Sequence, residues 1–414
     1  MTRQPTELPS DWDRRKLGDL GQVVRGGSPR PAGDPQYFNG SFIPWLTVAS
    51  LTTIPASQMR VTETAGFLTE AGARRSRTLE ANTLVMSNSG ATLGVAKILG
   101  IRCCANDGIG ALIEQYSGDK EFICQFLNTQ TEYLRDVVAP GNGQPNLNTS
   151  LIADIEVPFP SEPEQKAIAG VLRDADALIS ALAATIAKKR HVKYGMLQEL
   201  LTGRTRLAGF EAEWTPVAVG QLGTFLKGRG IRRDDVRPSG IPCIRYGELY
   251  TTYSDYTAET VSFVQPDIAA AALPVRTGDI LFAGSGETKE EIGKCVAYVG
   301  EKPAVAGGDI IVLRGTHYDP VYLASLLNTP AVAAQKARGG QGDAVVHINP
   351  SALADIKVMV PELPEQRAIA EVLQDADAEI AALERRLESA QSIKIGVVQE
   401  LLTGRTRLSV EVAS

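Results

Sequence analysis

Basic side chains beside glycine-rich turns are the residues of this chain best suited to bind a polyanion. Two glycine turns, Gly26-Gly27 and Gly228–Gly230, let the backbone approach a phosphate closely. A run of charge by itself usually indicates a solvated surface. Here the two clusters fall in corresponding halves of the chain, which favours contact with phosphate. The candidate residues are Arg25, Arg30, Arg74, Arg75 and Arg77 in the first half, and Lys227, Arg229, Arg232 and Arg233 in the second.

Polar loops with side chains able to read base edges form the second set of candidates. Asn88 and Lys289 occupy corresponding loops that follow short apolar strands, and Gln144 and Gln341 lie in a second pair of glycine-rich loops. Amides suit adenine in the major groove, whereas Arg and Lys suit guanine. The same loops are also ordinary turn chemistry. We expect the amides to read bases and the basic residues to divide between bases and phosphates.

No catalytic constellation accompanies these residues. A phosphate loop needs GxxxxGK[ST], and the nearest stretch, Gly286–Cys295, has the wrong spacing. The tetrad Asp34–Tyr37 lacks one proline of the DPPY motif of adenine methyltransferases. The three histidines have no partner at i+3 or i+4, and the five cysteines lack metal-ligand spacing, so we interpret the cysteines as reduced, buried thiols. We expect no metal, no cofactor and no catalysis.

An internal repeat organises the chain. Pro163–Leu207 and Pro364–Leu408 lie 201 residues apart and agree at 27 of 45 positions without a gap. The stretches before them have diverged strongly. The chain is therefore a duplication in which one part of each half is retained and the other varies.

The repeated segments are predicted to be long helices. Steps of four and three from Ile168 meet apolar residues at eight of ten positions, and the same steps from Ile369 at nine of ten. This is a coiled-coil seam; about 38 residues would span about 57 Å. Because Leu207–Pro361 must fold back, we expect the two helices of one chain to pair antiparallel, with the seam lysines opposite apolar residues. A coiled coil between two chains is the alternative.

The remaining segments are predicted to be mostly β, because short β-branched runs alternate with turn residues. The expected fold is α+β: two mostly-β domains, each followed by a long helix, with pseudo-twofold symmetry. The predicted boundaries are 1–161, 162–206, 207–361 and 362–414. An apolar content of 43 %, a charged content of 22 % and a net charge of −6 suit a soluble protein without a membrane segment. No signal peptide is evident at the start, and we expect a cytoplasmic location.

The motifs resemble those of one family. The paired PEQ…AIA…VL…DAD helix openings, the paired QELLTGRTRL ends, and GNGQPNLN at Gly141–Asn148 resemble the DNA-specificity subunit of type I restriction-modification systems. The resemblance covers about Trp12 to Leu408. It implies two target-recognition domains that read a bipartite sequence in double-stranded DNA. It also implies binding of two copies of a methyltransferase subunit, which uses S-adenosylmethionine, and recruitment of restriction (translocase-nuclease) subunits.

Two other classes of protein remain as alternatives. One is a coiled-coil scaffold that does not bind DNA and whose β modules bind protein. The other is an enzyme with an unrecognised site in the modules. Salt-sensitive, sequence-specific retention of DNA would discriminate against both.

Overall fold

A computed structural model describes residues 8–90, 92–138, 146–342 and 345–409. The chain divides into two compact units. Unit 1 comprises Met1–Thr185 and Leu383–Ser414, and unit 2 comprises Ile186–Ala382. Each unit therefore contains one β module, the start of the helix that follows it, and the end of the helix of the other half.

The elements of the first half are short strands followed by one long helix. The strands are β1 Asp13–Lys16, β2 Gln22–Arg25, β3 Phe38–Leu46, β4 Arg60–Val61, β5 Gly66–Leu68, β6 Arg77–Leu79, β7 Leu84–Ser87, β8 Ala96–Leu99, β9 Cys103–Ala105, β10 Ile109–Ile113 and β11 Glu156–Phe159. The helices are α1 Val48–Thr52, α2 Glu70–Ala73, α3 Lys120–Thr129, α4 Thr131–Tyr133, α5 Thr149–Ala153 and α6 Glu162–Leu200, with a 3₁₀ turn at Leu17–Asp19 and a π turn at Leu134–Val138.

The second half repeats this plan. Its strands are β12 Thr215–Ala218, β13 Thr224–Lys227, β14 Ile241–Ile244, β15 Tyr256–Thr257, β16 Ser262–Val264, β17 Leu273–Val275, β18 Ile280–Ala283, β19 Ser285–Gly286, β20 Cys295–Tyr298, β21 Ala304–Ala306, β22 Ile310–Arg314, β23 Val346–His347 and β24 Lys357–Val360. The helices are α7 Tyr246–Thr251, α8 Pro266–Ala271, α9 Pro320–Leu327, α10 Pro330–Gly339, α11 Pro350–Ala354 and α12 Leu363–Leu402, with 3₁₀ turns at Val219–Gln221 and Arg233–Asp235.

The sheets of the two units have matching strand orders. Unit 1 has a five-stranded sheet, β2-β10-β7-β8-β4, and a four-stranded sheet, β5-β3-β9-β6. Unit 2 has the corresponding five-stranded sheet, β13-β22-β18-β20-β15, and the corresponding four-stranded sheet, β16-β14-β21-β17. The central strands β7, β8, β18 and β20 are buried at every position, as expected for strands covered on both faces. The predicted fold class, two mostly-β domains each followed by a long helix, is confirmed.

The core of each unit joins its sheet to both long helices. In unit 1, Phe122 of α3 belongs to one buried cluster with Ile168 and Leu172 of α6 and Leu401 of α12. Such a cluster covers the seam that a single helix would leave in water. The cluster of unit 2 contains the equivalent residues Tyr322, Ile369, Leu373 and Leu200.

The two long helices run antiparallel where they pack within each unit. In unit 1, Glu164 of α6 contacts Arg407 beyond the end of α12, and Asp176, twelve residues later, contacts Lys394, thirteen residues earlier. The partners change in opposite directions along the chain, which defines an antiparallel pair. The predicted antiparallel pairing within one chain is confirmed.

The residues opposite the seam lysines differ from the prediction. Lys394 Nζ lies 2.6 Å from Asp176 Oδ1, and Lys193 Nζ lies 2.6 Å from Asp377 Oδ1. The expectation that these lysines face apolar residues was wrong, because a partly buried ammonium is stabilised by a carboxylate. The two pairs are related by the 201-residue offset of the sequence repeat.

An arginine in each repeated QELLTGRTRL end forms an ion pair with the start of the other long helix, a contact that we name the clamp. Arg407 Nε lies 2.6 Å from Glu164 Oε1, and its Nη1 and Nη2 atoms lie 2.8 and 2.7 Å from the Asp11 carboxylate. The guanidinium also lies 5.5 Å from the Trp12 ring centroid. The pairing raises the pKa of Arg407 above its ordinary value, mainly through the hydrogen bond to Asp11. In unit 2, Arg206 forms the equivalent pair with Glu365.

Candidate nucleic-acid interface

In unit 1, four segments that are distant in sequence converge at one end of the sheets. Gly26 N donates to Ile109 O at 2.9 Å, and Gly27 N donates to Ala105 O at 2.9 Å. A Cβ on Gly26 would lie 2.0 Å from Asn106 O, so only glycine allows this approach. We name residues 25–30, 76–77, 88–89 and 105–108 the unit 1 loop cluster.

Asp107 connects the side chains of this cluster. Ser28 Oγ donates to Asp107 Oδ1 at 2.7 Å, and Arg30 Nη2 lies 3.4 Å from Asp107 Oδ2. The backbone carbonyl of Asp107 accepts from Arg25 Nε at 2.5 Å and from Asn88 Nδ2 at 3.3 Å. The hydrogen bond from Ser28 is the main cause that lowers the pKa of Asp107, with Arg25 and Arg30 adding to it. The carboxylate is therefore charged and binds its neighbours as an acceptor.

The arginines of residues 74–77 divide between two environments. Arg77 Nε donates to Arg25 O at 2.7 Å, which brings Arg77 into the unit 1 loop cluster. Arg75 lies over the ring of Tyr37 at 4.9 Å, and Arg74 lies 2.5 Å from Glu70 Oε1 in an exposed pair. The structure thus brings Arg25, Arg30, Arg77 and Asn88 together, whereas Arg74 pairs with Glu70 of α2 and Arg75 lies over Tyr37.

The two amide candidates of the first half differ in how they are placed. Asn88 is only 1 % exposed, and its Oδ1 has no hydrogen-bond partner among the described residues. Gln144 lies outside the described residues. The next described residues reach the cluster: Asn146 forms an isolated β-bridge with Ser89, and Leu147 N donates to Asn88 O at 2.8 Å.

Unit 2 has a corresponding set of loops built on equivalent backbone hydrogen bonds. Gly228 N donates to Ile310 O at 2.8 Å, as Gly26 does to Ile109 in unit 1. Gly284 N donates to Asp309 O at 2.7 Å, as Asn88 N does to Gly108 O at 2.9 Å. We name residues 227–229, 284–286, 306–309 and 341–348, as far as they are described, the unit 2 loop cluster.

The candidate residues of unit 2 are mostly exposed. Lys227 ends β13, Arg229 Nε donates to Ala271 O at 3.1 Å, and Gln341 pairs through its backbone with His347. Arg232 and Arg233 lie at the exposed 3₁₀ turn, and Lys289 lies in the exposed turn after β19. The structure therefore brings Lys227, Arg229 and Gln341 to the unit 2 loop cluster. Among the described residues of that cluster, none forms a hydrogen bond or ion pair with the side chain of Arg232, Arg233 or Lys289.

Sequence reasoning missed three polar residues of the loop clusters. They are Ser28 and Asp107 in unit 1 and His347 in unit 2, where Ser285 Oγ lies 2.8 Å from His347 Nδ1. Ser28 and Asp107 each lie beside a glycine, and Asp107 follows the buried strand β9, which was an available signal. His347 lies in β23 with no glycine beside it, so this signal does not mark it.

Each unit also has a groove. In unit 1 it lies between α3 and the C-terminal half of α12, and in unit 2 between α9 and the C-terminal half of α6. The unit 1 groove, of about 540 Å³, is lined by Asn128, Ile395 and Val398, with Thr129 and Gln399. The unit 2 groove, of about 650 Å³, includes the equivalent positions Asn328, Thr329, Tyr194, Leu197 and Gln198. The remaining lining differs, since Trp214, Gln335 and Lys357 complete the unit 2 groove, whereas Asp176, Ile179 and Leu387 complete that of unit 1. Ile395 is 62 % exposed and Tyr194 is 54 % exposed. Large apolar side chains exposed at equivalent places are typical of partner-binding surfaces.

Within the described ranges, no group of three or more His, Cys, Asp or Glu residues could hold a metal ion. The five cysteines are free and buried, and burial raises the pKa of Cys243 to about 11. Among the helices described, none is long and apolar enough to cross a membrane.

Comparisons with known proteins agree with this architecture. The family model described as the type I restriction modification DNA specificity domain matches twice, over residues 9–189 and 211–391. The type I restriction enzyme MjaVIII specificity subunit of Methanocaldococcus jannaschii is 22 % identical over 421 residues, covering 97 % of this chain and 94 % of the relative. The MjaIX specificity subunit of the same organism is 31 % identical over 180 residues, covering 42 % of this chain and 40 % of the relative.

Two solved structures share the fold. The S subunit of a type I restriction-modification system from M. genitalium superposes with a TM-score of 0.60 and 16 % identity, covering 96 % of this chain and 99 % of that one. A chain from a study of complex assembly and conformational transition of the type I system superposes with a TM-score of 0.56 and 14 % identity. The match covers 97 % of this chain and 100 % of that one. With two family matches along most of its length, the chain belongs to the type I restriction-modification DNA-specificity family, as the sequence motifs predicted.

Proposed function

We propose that this chain reads a bipartite sequence in double-stranded DNA, with one half-site read by each β module. The observation that carries the proposal is the pair of loop clusters. Equivalent backbone hydrogen bonds build both clusters, whereas their side chains differ. A common frame with different side chains suits two modules that bind the same polymer and read different bases, because phosphate contacts position a protein and base contacts specify the sequence.

The proposed DNA contacts are the exposed basic and amide residues of the loops and their flanks. Asn88, as placed, would support the loop through the Asp107 carbonyl and would have to turn outward to read a base. The remaining candidates for contact are Arg25, Arg30, Arg74, Arg75, Arg77 and Gln144 for the first half-site, and Lys227, Arg229, Arg232, Arg233, Lys289 and Gln341 for the second.

The chain is also proposed to hold two copies of a methyltransferase subunit. The positions that the two grooves share support this, since a surface offered twice binds the same partner twice. The partner would supply the S-adenosylmethionine chemistry and recruit restriction subunits. The chain itself would therefore be non-catalytic. Its proposed location is the cytoplasm. The proposed domains are two recognition domains, 1–161 and 207–361, and two helical segments, 162–206 and 362–414.

Mapping of modified bases tests the proposed DNA reading. The chain would be co-expressed with the methyltransferase subunit encoded beside it, and modified bases in the host DNA would be located by sequencing. We expect two short half-sites separated by an unread gap. In the same assay, Arg25→Ala should alter the first half-site alone and Arg229→Ala the second alone. A single uninterrupted target, or a first-module variant that changes only the second half-site, would contradict the proposal.

Mass measurement of the purified complex tests the proposed partners. We expect two methyltransferase subunits per chain. Ile395→Glu and Tyr194→Glu each place a charge in one groove, and each should reduce the ratio to one. Tyr116→Glu is the matched control, because Tyr116 is 72 % exposed and does not line either groove. A one-to-one complex for the unaltered chain, or an equal loss with the control, would refute the groove assignment.

A further inference from the structure

The unit 1 loop cluster contains a carboxylate where a DNA-binding surface would be expected to avoid one. Asp107 lies among Arg25, Arg30 and Asn88, and it contacts all three. A carboxylate facing a polyanion weakens binding through like-charge repulsion. Its charge therefore opposes the proposed function of the surface, and a compensating role has to be sought in its contacts.

We propose that Asp107, together with Ser28, is a positioning residue that sets the specificity of the first half-site by fixing the direction of Arg25 and Arg30. This inference rests on the proposed function of unit 1 as a DNA-reading module. An arginine reads guanine through two parallel hydrogen bonds whose geometry is strict. A guanidinium already held in one direction loses less conformational freedom on binding than a mobile one.

The hydrogen bonds of Ser28 hold the two loops in one register. Ser28 Oγ donates to Asp107 Oδ1 at 2.7 Å and accepts from Asp107 N at 3.3 Å, so the two residues close a small ring. The same loop is held from its other side, where Ser76 Oγ donates to Gly27 O at 2.7 Å. Residues 27–28 are therefore fixed on both sides, and the arginines that flank them leave the loop in defined directions.

The arginines are held by different atoms of Asp107. The backbone carbonyl of Asp107 accepts a hydrogen bond from Arg25 Nε, so neither terminal nitrogen of that guanidinium is used in this bond. The carboxylate binds Arg30 through one nitrogen only, at 3.4 Å. Both side chains are exposed. Each arginine is thus aimed by Asp107 while part of its hydrogen-bonding edge is available to a ligand.

Unit 2 is built differently at the corresponding position. The hydrogen bond from Gly284 N to Asp309 O corresponds to the one from Asn88 N to Gly108 O in unit 1. The residue before Asp309, Gly308, is therefore equivalent to Asp107, and it has no side chain to hold an arginine. Arg25 and Ser28 correspond to Lys227 and Gly230, and the nearby Arg229 donates from Nε to Ala271 O. The proposed positioning is therefore confined to the first half-site, and the second half-site serves as an internal control in every measurement.

Two substitutions separate positioning from charge. Asp107→Asn keeps an acceptor for Ser28 but removes the charge that holds Arg30, whereas Ser28→Ala removes the hydrogen bonds without changing any charge. The full chain would be co-expressed with the methyltransferase subunit, and binding of each complex would be measured across a library randomised in both half-sites. We expect both variants to lose discrimination at one or more positions of the first half-site by about tenfold, which corresponds to the loss of one base contact.

The charge effect gives a second, independent readout. Asp107→Asn should also bind unrelated DNA more tightly than the parent, because a repulsive charge is gone, whereas Ser28→Ala should not. Glu80→Gln is the matched control. It removes an exposed carboxylate from the opposite end of β6, where Glu80 pairs with Arg102, and it should leave the bases read unchanged.

The outcomes distinguish this inference from the proposed function. If both variants retain parental discrimination at the first half-site, Asp107 does not position the arginines, although the module still reads DNA. If Asp107→Asn fails to fold, seen as loss of both half-sites, Ser28→Ala alone decides. If the parent complex has no bipartite target, the proposed function fails first and the positioning role falls with it.

Discussion

Replacement of Lys394 by methionine should destabilise unit 1 by breaking a buried ion pair. The Asp176 side chain is 6 % exposed and that of Lys394 is 18 % exposed. Asp176 also accepts a hydrogen bond from Gln125 Nε2 at 2.8 Å. Methionine preserves the apolar stem of the lysine but leaves the Asp176 carboxylate with Gln125 as its remaining direct partner.

The expected magnitude follows from burial. Removing one partner of a buried ion pair costs about 3–5 kcal/mol because the other charge is left uncompensated. Lys394 is not fully buried and Gln125 stays bonded, so we expect about 2–3 kcal/mol. At the equivalent pair in unit 2 the Asp377 side chain is 30 % exposed. Water can solvate that carboxylate, and Lys193→Met should cost about 1 kcal/mol or less.

Hydrogen exchange of the α6 amides around Asp176 measures this difference without assuming that the whole chain unfolds in one step. For amides that exchange by local opening, 2–3 kcal/mol corresponds to exchange about 30- to 150-fold faster in Lys394→Met. The triple variant Gln125→Met, Asp176→Leu, Lys394→Met should recover to within about 1 kcal/mol of the parent, because an apolar group needs no desolvation of charge and leaves no buried amide without its acceptor. Equal effects of Lys394→Met and Lys193→Met, each in its own unit, would refute the reasoning from burial.

Three further predictions concern other parts of the chain. Burial lowers the pKa of Lys336 below its ordinary 10.5, so between the two pKa values the unfolded chain binds more protons, and the stability of unit 2 should rise as the pH approaches 10.5. In urea unfolding, Lys336→Met should lack this rise. An identical pH profile for parent and variant would contradict the role given to Lys336. Gly26→Ala should cost about 1–3 kcal/mol through steric overlap and weaken the first half-site in modified-base mapping, whereas Gly66→Ala, with no atom within 4 Å of the added Cβ, should not. Arg407→Ala should speed hydrogen exchange at the start of α6, because buried Glu164 loses its charged partner; unchanged exchange there would show that the clamp contributes nothing.

The long helices and their pairing could be predicted from the sequence because the information is local and repeated. The three-four spacing from Ile168 marks a seam over many turns, and the same spacing from Ile369 repeats it. What the spacing could not define is the register between the helices. Sliding one helix by a turn changes which residue faces Lys394, so the contact with Asp176 emerges only from the packed structure.

The candidate interface could be predicted in part. Arg25, Arg30 and Arg77 lie together beside the glycine turn. Arg74 and Arg75, which belong to the same predicted set, contact Glu70 and Tyr37 instead. The burial of Asn88 was not foreseeable, because a polar loop residue is normally exposed and its cover comes from distant segments. Asp107 meets Ser28 across 79 residues of sequence, a separation at which residue type and spacing carry no information about contact.

The division of the chain into its two units has a consequence for the order in which they can form during translation. Unit 2 is one uninterrupted stretch, Ile186–Ala382, so all its residues have been synthesised once Ala382 is added. Unit 1 begins to emerge first, yet its core includes Leu401 and Leu402, and its clamp requires Arg407. Domains usually fold in the order of their synthesis. Unit 1 is synthesised first but cannot complete its fold until the last turn of α12 has been made, and until then part of its apolar core is exposed.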